Sequence, residues 1–173
     1  EIGKSTLLTQ WVRSIPNYSV RYYAFDFTNP SSQRYNDSQR GEGISFLYDI
    51  VQELETAGFG NSNTLVYKEY DFLKKRFYEL LEGISEEFRK TNLPVVIVVD
   101  GLDHITREYD VQSTNIMGVL PSVTDLPDGV VFVLGSQHFE HLGLNANVKI
   151  GIDKKKYRIM VINNFNDVAL RTR

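Results

Sequence analysis

Val95-Val96-Ile97-Val98-Val99-Asp100-Gly101-Leu102-Asp103-His104 carries the strongest structural signal in this chain. Pro94 introduces five consecutive apolar β-branched residues, and an acid closes the run. A run without apolar–polar alternation suits a strand covered on both faces, as in a parallel sheet flanked by helices. A second run of the same kind, Val130 to Leu134, follows the turn Pro127-Asp128-Gly129. Both are expected to be interior strands of a central, mainly parallel sheet. Open α/β sheets bind ligands beyond the carboxyl ends of their strands, so Asp100 stands where a site would be built.

Outward from that stretch, helical and extended patterns alternate. Upstream, Tyr70, Leu73, Phe77, Leu80, Leu81, Ile84 and Phe88 mark one face of a long helix over Tyr67 to Lys90. A shorter helix is expected over Ile44 to Thr56, closed by Ala57-Gly58, with turn material from Gly58 to Thr64. Before it, the polar segment Thr28 to Gly43 reads as a long loop, and Val20 to Phe27 as a strand. From Ser5, the residues Leu7, Leu8, Trp11, Val12 and Ile15 recur at helical spacing until Pro16-Asn17 stops them, which places Trp11 in the core. Downstream, a short helix is expected around Ile116 to Val123 and a last strand at Tyr157 to Ile162. Phe165, Val168 and Leu170 then begin another helix. Strands alternating with helices imply an α/β fold.

Composition narrows the function classes. The chain has 173 residues, room for one ordinary domain, and 42% hydrophobic against 24% charged residues supports a packed core. A formal net charge of -3 argues against a nucleic-acid partner for this domain. The absence of cysteine excludes disulfides, thiolate metal sites and a cysteine nucleophile. The run Val95 to Val99 is too short to cross a bilayer, so no membrane partner and a cytoplasmic location are expected.

The chain opens Glu1-Ile2-Gly3-Lys4-Ser5-Thr6. Gly3-Lys4-Ser5-Thr6 followed by an amphipathic helix resembles the end of a P-loop, whose full pattern is G-x-x-x-x-G-K-[S/T]. The resemblance implies that Gly3 to Thr6 form an anion nest of backbone N–H groups at a helix N-terminus. Lys4 would then meet the β- and γ-phosphates, and Ser5 would offer its hydroxyl to Mg²⁺. The first glycine and its strand lie outside the residues given. Residues 1–173 are therefore read as a piece of a larger multidomain protein, with that first strand lost or upstream. Val95 to Asp100 in turn resembles a Walker B strand, in which Asp100 holds magnesium through water. Together the two elements identify the chain as similar to P-loop nucleotide-binding domains, with ATP and Mg²⁺ as cofactors.

The sequence Asp100-Gly101-Leu102-Asp103-His104 further resembles the STAND class of signal-transduction NTPases, including the NACHT and AP-type groups, and among them the bacterial antiviral members. That resemblance implies a regulatory ATPase, slowly hydrolysing, that couples nucleotide state to self-oligomerisation and signalling. An unknown protein ligand would be sensed by other domains. It implies sensor residues at Ser136 and Gln137 and the start of a small lid over 157–173. It implies that Asp103 orients or deprotonates the attacking water, beside the alternative that Asp103 caps a helix starting near Ile105. The sequence departs from the class at two places. His104 replaces an acid, either as an auxiliary nucleotide contact or as a surface residue, and Gln137 stands where an arginine would cancel phosphate charge. The alternative is an AAA+-like motor acting on nucleic acid or protein, which would carry an acid directly after Asp100, where Gly101 stands. Lys154-Lys155-Lys156 reads as a solvated loop, and the His138/His141 spacing, supported only by Glu140, as no metal site.

Overall fold

The computed structural model describes residues 3–24, 40–60, 69–108 and 115–137. Within them β2 (Val95–Asp100) is the middle of three parallel strands, between β1 (Ser19–Tyr23) and β3 (Val130–Leu134). The register sets Tyr23 against Asp100 and Val99 against Leu134, so the three carboxyl ends finish together. Every residue of β2 is buried, which is the physical reason for its unbroken apolar run. The α/β class and the parallel sheet expected from that run are present.

One face of the sheet carries the core. Val20, Tyr22, Ile97 and Val99 lie on it and pack with α2 (Gly43–Thr56) and α3 (Tyr70–Thr91). Tyr22 meets Phe46 edge-on with ring centroids 5.2 Å apart, and Phe46 meets Phe77 at 6.1 Å. These tilted pairs satisfy the ring quadrupoles while filling the layer between helices and strands. Arg76 of α3, nearly buried, reaches Glu55 of α2 at 2.7 Å and fastens the two helices together. Asn92, in the left-handed conformation at φ 56, ends α3 and hands the chain through Pro94 to β2.

The other face is covered differently. α1 (Lys4–Ser14) lies over Arg21 and Asp100, yet none of its residues is buried. Trp11 is 40% exposed and Leu7 38%, so Trp11 is not a core residue, contrary to the expectation from spacing. The stripe of α1 that meets the sheet is Ser5, Leu8 and Thr9, one step round the helix, and polar contacts choose it.

Two more expectations change. β3 is not an interior strand among the described residues: it pairs only with β2, and Val131 is 41% exposed. Phe132 and Leu134 pack against the core from one side, and Val131 stands on the other. The single helix expected around Ile116 to Val123 is two short 3₁₀ turns, Ile116–Gly118 and Val123–Asp125, because Pro121 between them cannot continue a helix. A short helix, α4 (Leu102–Glu108), follows β2 directly. Residues 25–27 of the expected first strand, most of the long polar loop, the strand at 157–162 and the lid region lie outside the described residues. Among the described residues no helix is long and apolar enough to cross a membrane.

The two aromatic residues make a direct comparison. Phe77→Ala, at a fully buried position, should cost about 3–5 kcal/mol. Trp11→Ala should cost less than about 1 kcal/mol, as expected where little packing is lost. Urea melts of both variants check this, and a larger loss at Trp11 than at Phe77 would overturn the placement of α1.

Candidate functional site

β2 delivers Asp100 to the carboxyl edge of the sheet, where the residue is only 1% exposed. The chain then turns at Gly101, whose φ of 81 lies in the left-handed region that L side chains rarely adopt. An acid at that position would be strained, which accounts for glycine directly after Asp100. The Gly101 N–H donates back to Asp100 Oδ1 at 2.9 Å. Two residues on, in the first turn of α4, stands Asp103, also buried.

The ends of all three strands are joined around these acids. The Ala24 N–H donates to the Asp100 carbonyl at 2.9 Å, and the Gly135 N–H to the Val99 carbonyl at 2.8 Å. Leu102 N–H donates to the Gly135 carbonyl at 3.1 Å. At Gly135 a side chain has no room: a Cβ there would fall 2.3 Å from Asp100 Oδ1.

α1 brings its first turn to the same edge. Gly3 is its N-cap, without a side chain to cap the first N–H groups, and no acid stands in the first turn. Ser5 Oγ donates to Asp100 Oδ2 at 2.5 Å, across 95 residues of sequence. Lys4 Nζ lies 3.9 Å from Asp103 Oδ1. Lys4, Ser5, Asp100 and Asp103, drawn from the two motifs, are thus brought into one cluster. Thr6 is exposed in the same turn.

The remaining site residues separate. The Gln137 backbone N–H donates to Asp103 Oδ1 at 3.2 Å, so this position reaches the acid through the main chain. Ser136 Oγ is buried and has no hydrogen-bond partner among the described residues. His104 Nε2 lies 3.9 Å from Asp103 Oδ2, an ion pair only when the imidazole is protonated. His138, Glu140, His141 and Lys154 to Lys156 lie outside the described residues.

Three residues of the cluster escaped the sequence reading: Gly135, Arg21 and Thr9. Arg21 Nη1 donates to Thr9 Oγ1, and its guanidinium stacks 4.0 Å from the centroid of the Tyr23 ring. Burial pulls Arg21 below its usual guanidinium value, and the nearby Asp100 carboxylate pulls it the other way. A charge inside the otherwise uncharged strand Ser19–Tyr23 was the signal available for Arg21. Gly135 had only the weaker signal of a glycine closing an apolar run.

Two buried carboxylates and a serine hydroxyl are hard oxygen donors, which suit magnesium rather than soft metals. Among the described residues no group of three His, Cys, Asp or Glu could hold a metal by itself. Magnesium needs none, since it binds through one or two carboxylates and takes its other ligands from water and phosphate. The donor set therefore fits that ion.

Searched against protein-family models, curated proteins and solved structures, the chain matches none.

Gly135→Ala tests the closeness of β3 to Asp100. The methyl group would push the carboxylate away from Ser5, at an overpacking cost of about 1–3 kcal/mol. Wild-type stability in a denaturant melt of this variant would contradict the geometry.

Proposed function

We propose that the chain is a P-loop NTPase domain of the STAND class, binding ATP with magnesium and serving as a slowly hydrolysing regulatory switch. The observation that carries this reading is the 2.5 Å hydrogen bond from Ser5 Oγ to Asp100 Oδ2. Two segments far apart in sequence, each with its own phosphate- or magnesium-binding pattern, converge on one sheet edge. That convergence is hard to reconcile with a chance Gly-Lys-Ser-Thr. The placement also agrees with the tendency of open α/β sheets to bind ligands at their carboxyl edge.

Each residue then has a task. The uncapped N–H groups at the start of α1 and the Lys4 ammonium receive phosphate oxygens. Ser5 and Asp100 hold the magnesium ion, which when bound neutralises phosphate charge. Asp103, close to Lys4 and anchored by the Gln137 N–H, orients or deprotonates the attacking water. Ser136 supplies a hydroxyl to the same edge. His104 adds charge beside Asp103 when protonated.

Slow turnover follows from what Gln137 lacks. A glutamine amide cannot cancel charge on a transferring phosphoryl group, whereas an arginine supplied by a neighbour is worth about 10³–10⁵ in rate. The domain is therefore a switch that gains activity on self-assembly, and the γ-phosphate supplies the difference between its two states.

Lys4→Ala should abolish measurable magnesium–ATP binding in calorimetry while leaving the fold intact; unchanged affinity would sink the reading. Asp103→Asn should keep ATP affinity within about threefold, since magnesium rests on Ser5 and Asp100, a change of under 1 kcal/mol. The same variant should lose residual hydrolysis in single-turnover assays run on dilute and on assembled protein. Fast turnover by dilute monomer, or full activity in Asp103→Asn, would show that the catalytic roles lie elsewhere.

A further inference from the structure

Arg21 is the only charged residue of β1, and it points away from the core, toward α1. A chain of hydrogen bonds starts from it. Arg21 Nη1 donates to Thr9 Oγ1, Thr9 Oγ1 donates to the Ser5 carbonyl at 2.6 Å, and Ser5 Oγ donates to Asp100 Oδ2 at 2.5 Å. The guanidinium is itself held by stacking on Tyr23, the register partner of Asp100. β1 therefore grips α1 one turn beyond the residues that meet the two carboxylates.

Apolar packing does little of this for α1. No residue of the helix is buried, Trp11 and Leu7 face outward, and Leu8 alone of these three reaches the sheet edge at Gly135. A helix held so weakly could slide or roll on the sheet by enough to misplace a phosphate contact, where displacements near 1 Å are costly. Arginine suits the task because its planar fork donates to a hydroxyl while its face stacks on an aromatic ring, a combination a lysine ammonium does not offer.

We propose that Arg21 is the positioning residue of the phosphate site, acting through Thr9 to set where the first turn of α1 places Lys4 and Ser5. The proposal rests on the phosphate-binding reading of that turn. Half-buried, with its fork on Thr9 and its face on Tyr23, the Arg21 guanidinium is held by groups of the site.

The test uses the full chain and three substitutions: Arg21→Gln, Thr9→Val and their double variant, with Thr9→Ser as the rescue. Magnesium–ATP affinity is read by calorimetry, and amide hydrogen exchange across α1 is read without ligand. Each single variant should weaken ATP about tenfold, the scale of one charge-assisted hydrogen bond. The double variant should lose no more than the worse single, because both act through one chain. Thr9→Ser should keep wild-type affinity, and exchange in α1 should quicken about tenfold in the two singles. A merely structural role would lower melting temperature while leaving the affinity of the folded protein unchanged. Additive losses, or unchanged affinity in both singles, would overturn the proposal. If the wild type binds no magnesium–ATP, the phosphate reading fails on its own. The tether is then decided by exchange alone, and unaltered exchange of α1 in both singles overturns it.

Discussion

Asp100 is a carboxylate at the end of a fully buried strand, and water cannot solvate it there. A buried charge costs several kcal/mol unless hydrogen bonds and opposite charge replace the lost water. Much of the local structure answers that need. Ser5 and the Gly101 N–H donate to its two oxygens, and the Arg21 charge lies near. Gly135 must stay without a side chain for the carboxylate to fit. The first turn of α1 is thus drawn to the middle of the sheet by an electrostatic demand, and Lys4 arrives beside Asp103 as a consequence.

The two faces of the sheet are held by different forces. On one, Tyr22, Phe46, Phe77 and their aliphatic neighbours bury a continuous apolar layer between β1–β2 and α2–α3. On the other, contact runs through Ser5, Thr9 and Arg21, with Val98 sealed beneath. An apolar layer is insensitive to small displacements of charge, whereas the polar contacts of Ser5 and Lys4 depend on where the charges of Asp100 and Asp103 lie. Under the proposed function, such a division would let α1 answer to phosphate while α2 and α3 keep the domain folded.

Much of this was legible in the sequence where the signal is local. The unbroken run Val95 to Val99 announces a strand with two covered faces, and the acid after it announces a strand end. The convergence of Gly3-Lys4-Ser5-Thr6 on Asp100 followed from two spaced motifs. Trp11 was misplaced because helical spacing marks an apolar stripe without saying what lies against it. β3 reads like β2 because Val131 keeps its run apolar although it is 41% exposed, so composition does not separate the two strands. The contact of Gln137 with Asp103 is made by a backbone N–H, which every residue but proline carries, so no side-chain pattern could mark it. Gly135 is required by a neighbour 35 positions earlier, Asp100, and a steric demand of that kind has no sequence periodicity.

The most direct test is a titration of isotopically labelled protein with magnesium–ATP, followed by backbone amide NMR. If the carboxyl edge of the sheet is the phosphate site, the amides of residues 3–6, 100–103 and 135–137 shift together and saturate on one curve. The interior of α2 and α3 stays unmoved. Shifts that saturate elsewhere, with those three segments unaffected, would contradict a phosphate site at Lys4, Ser5 and Asp100.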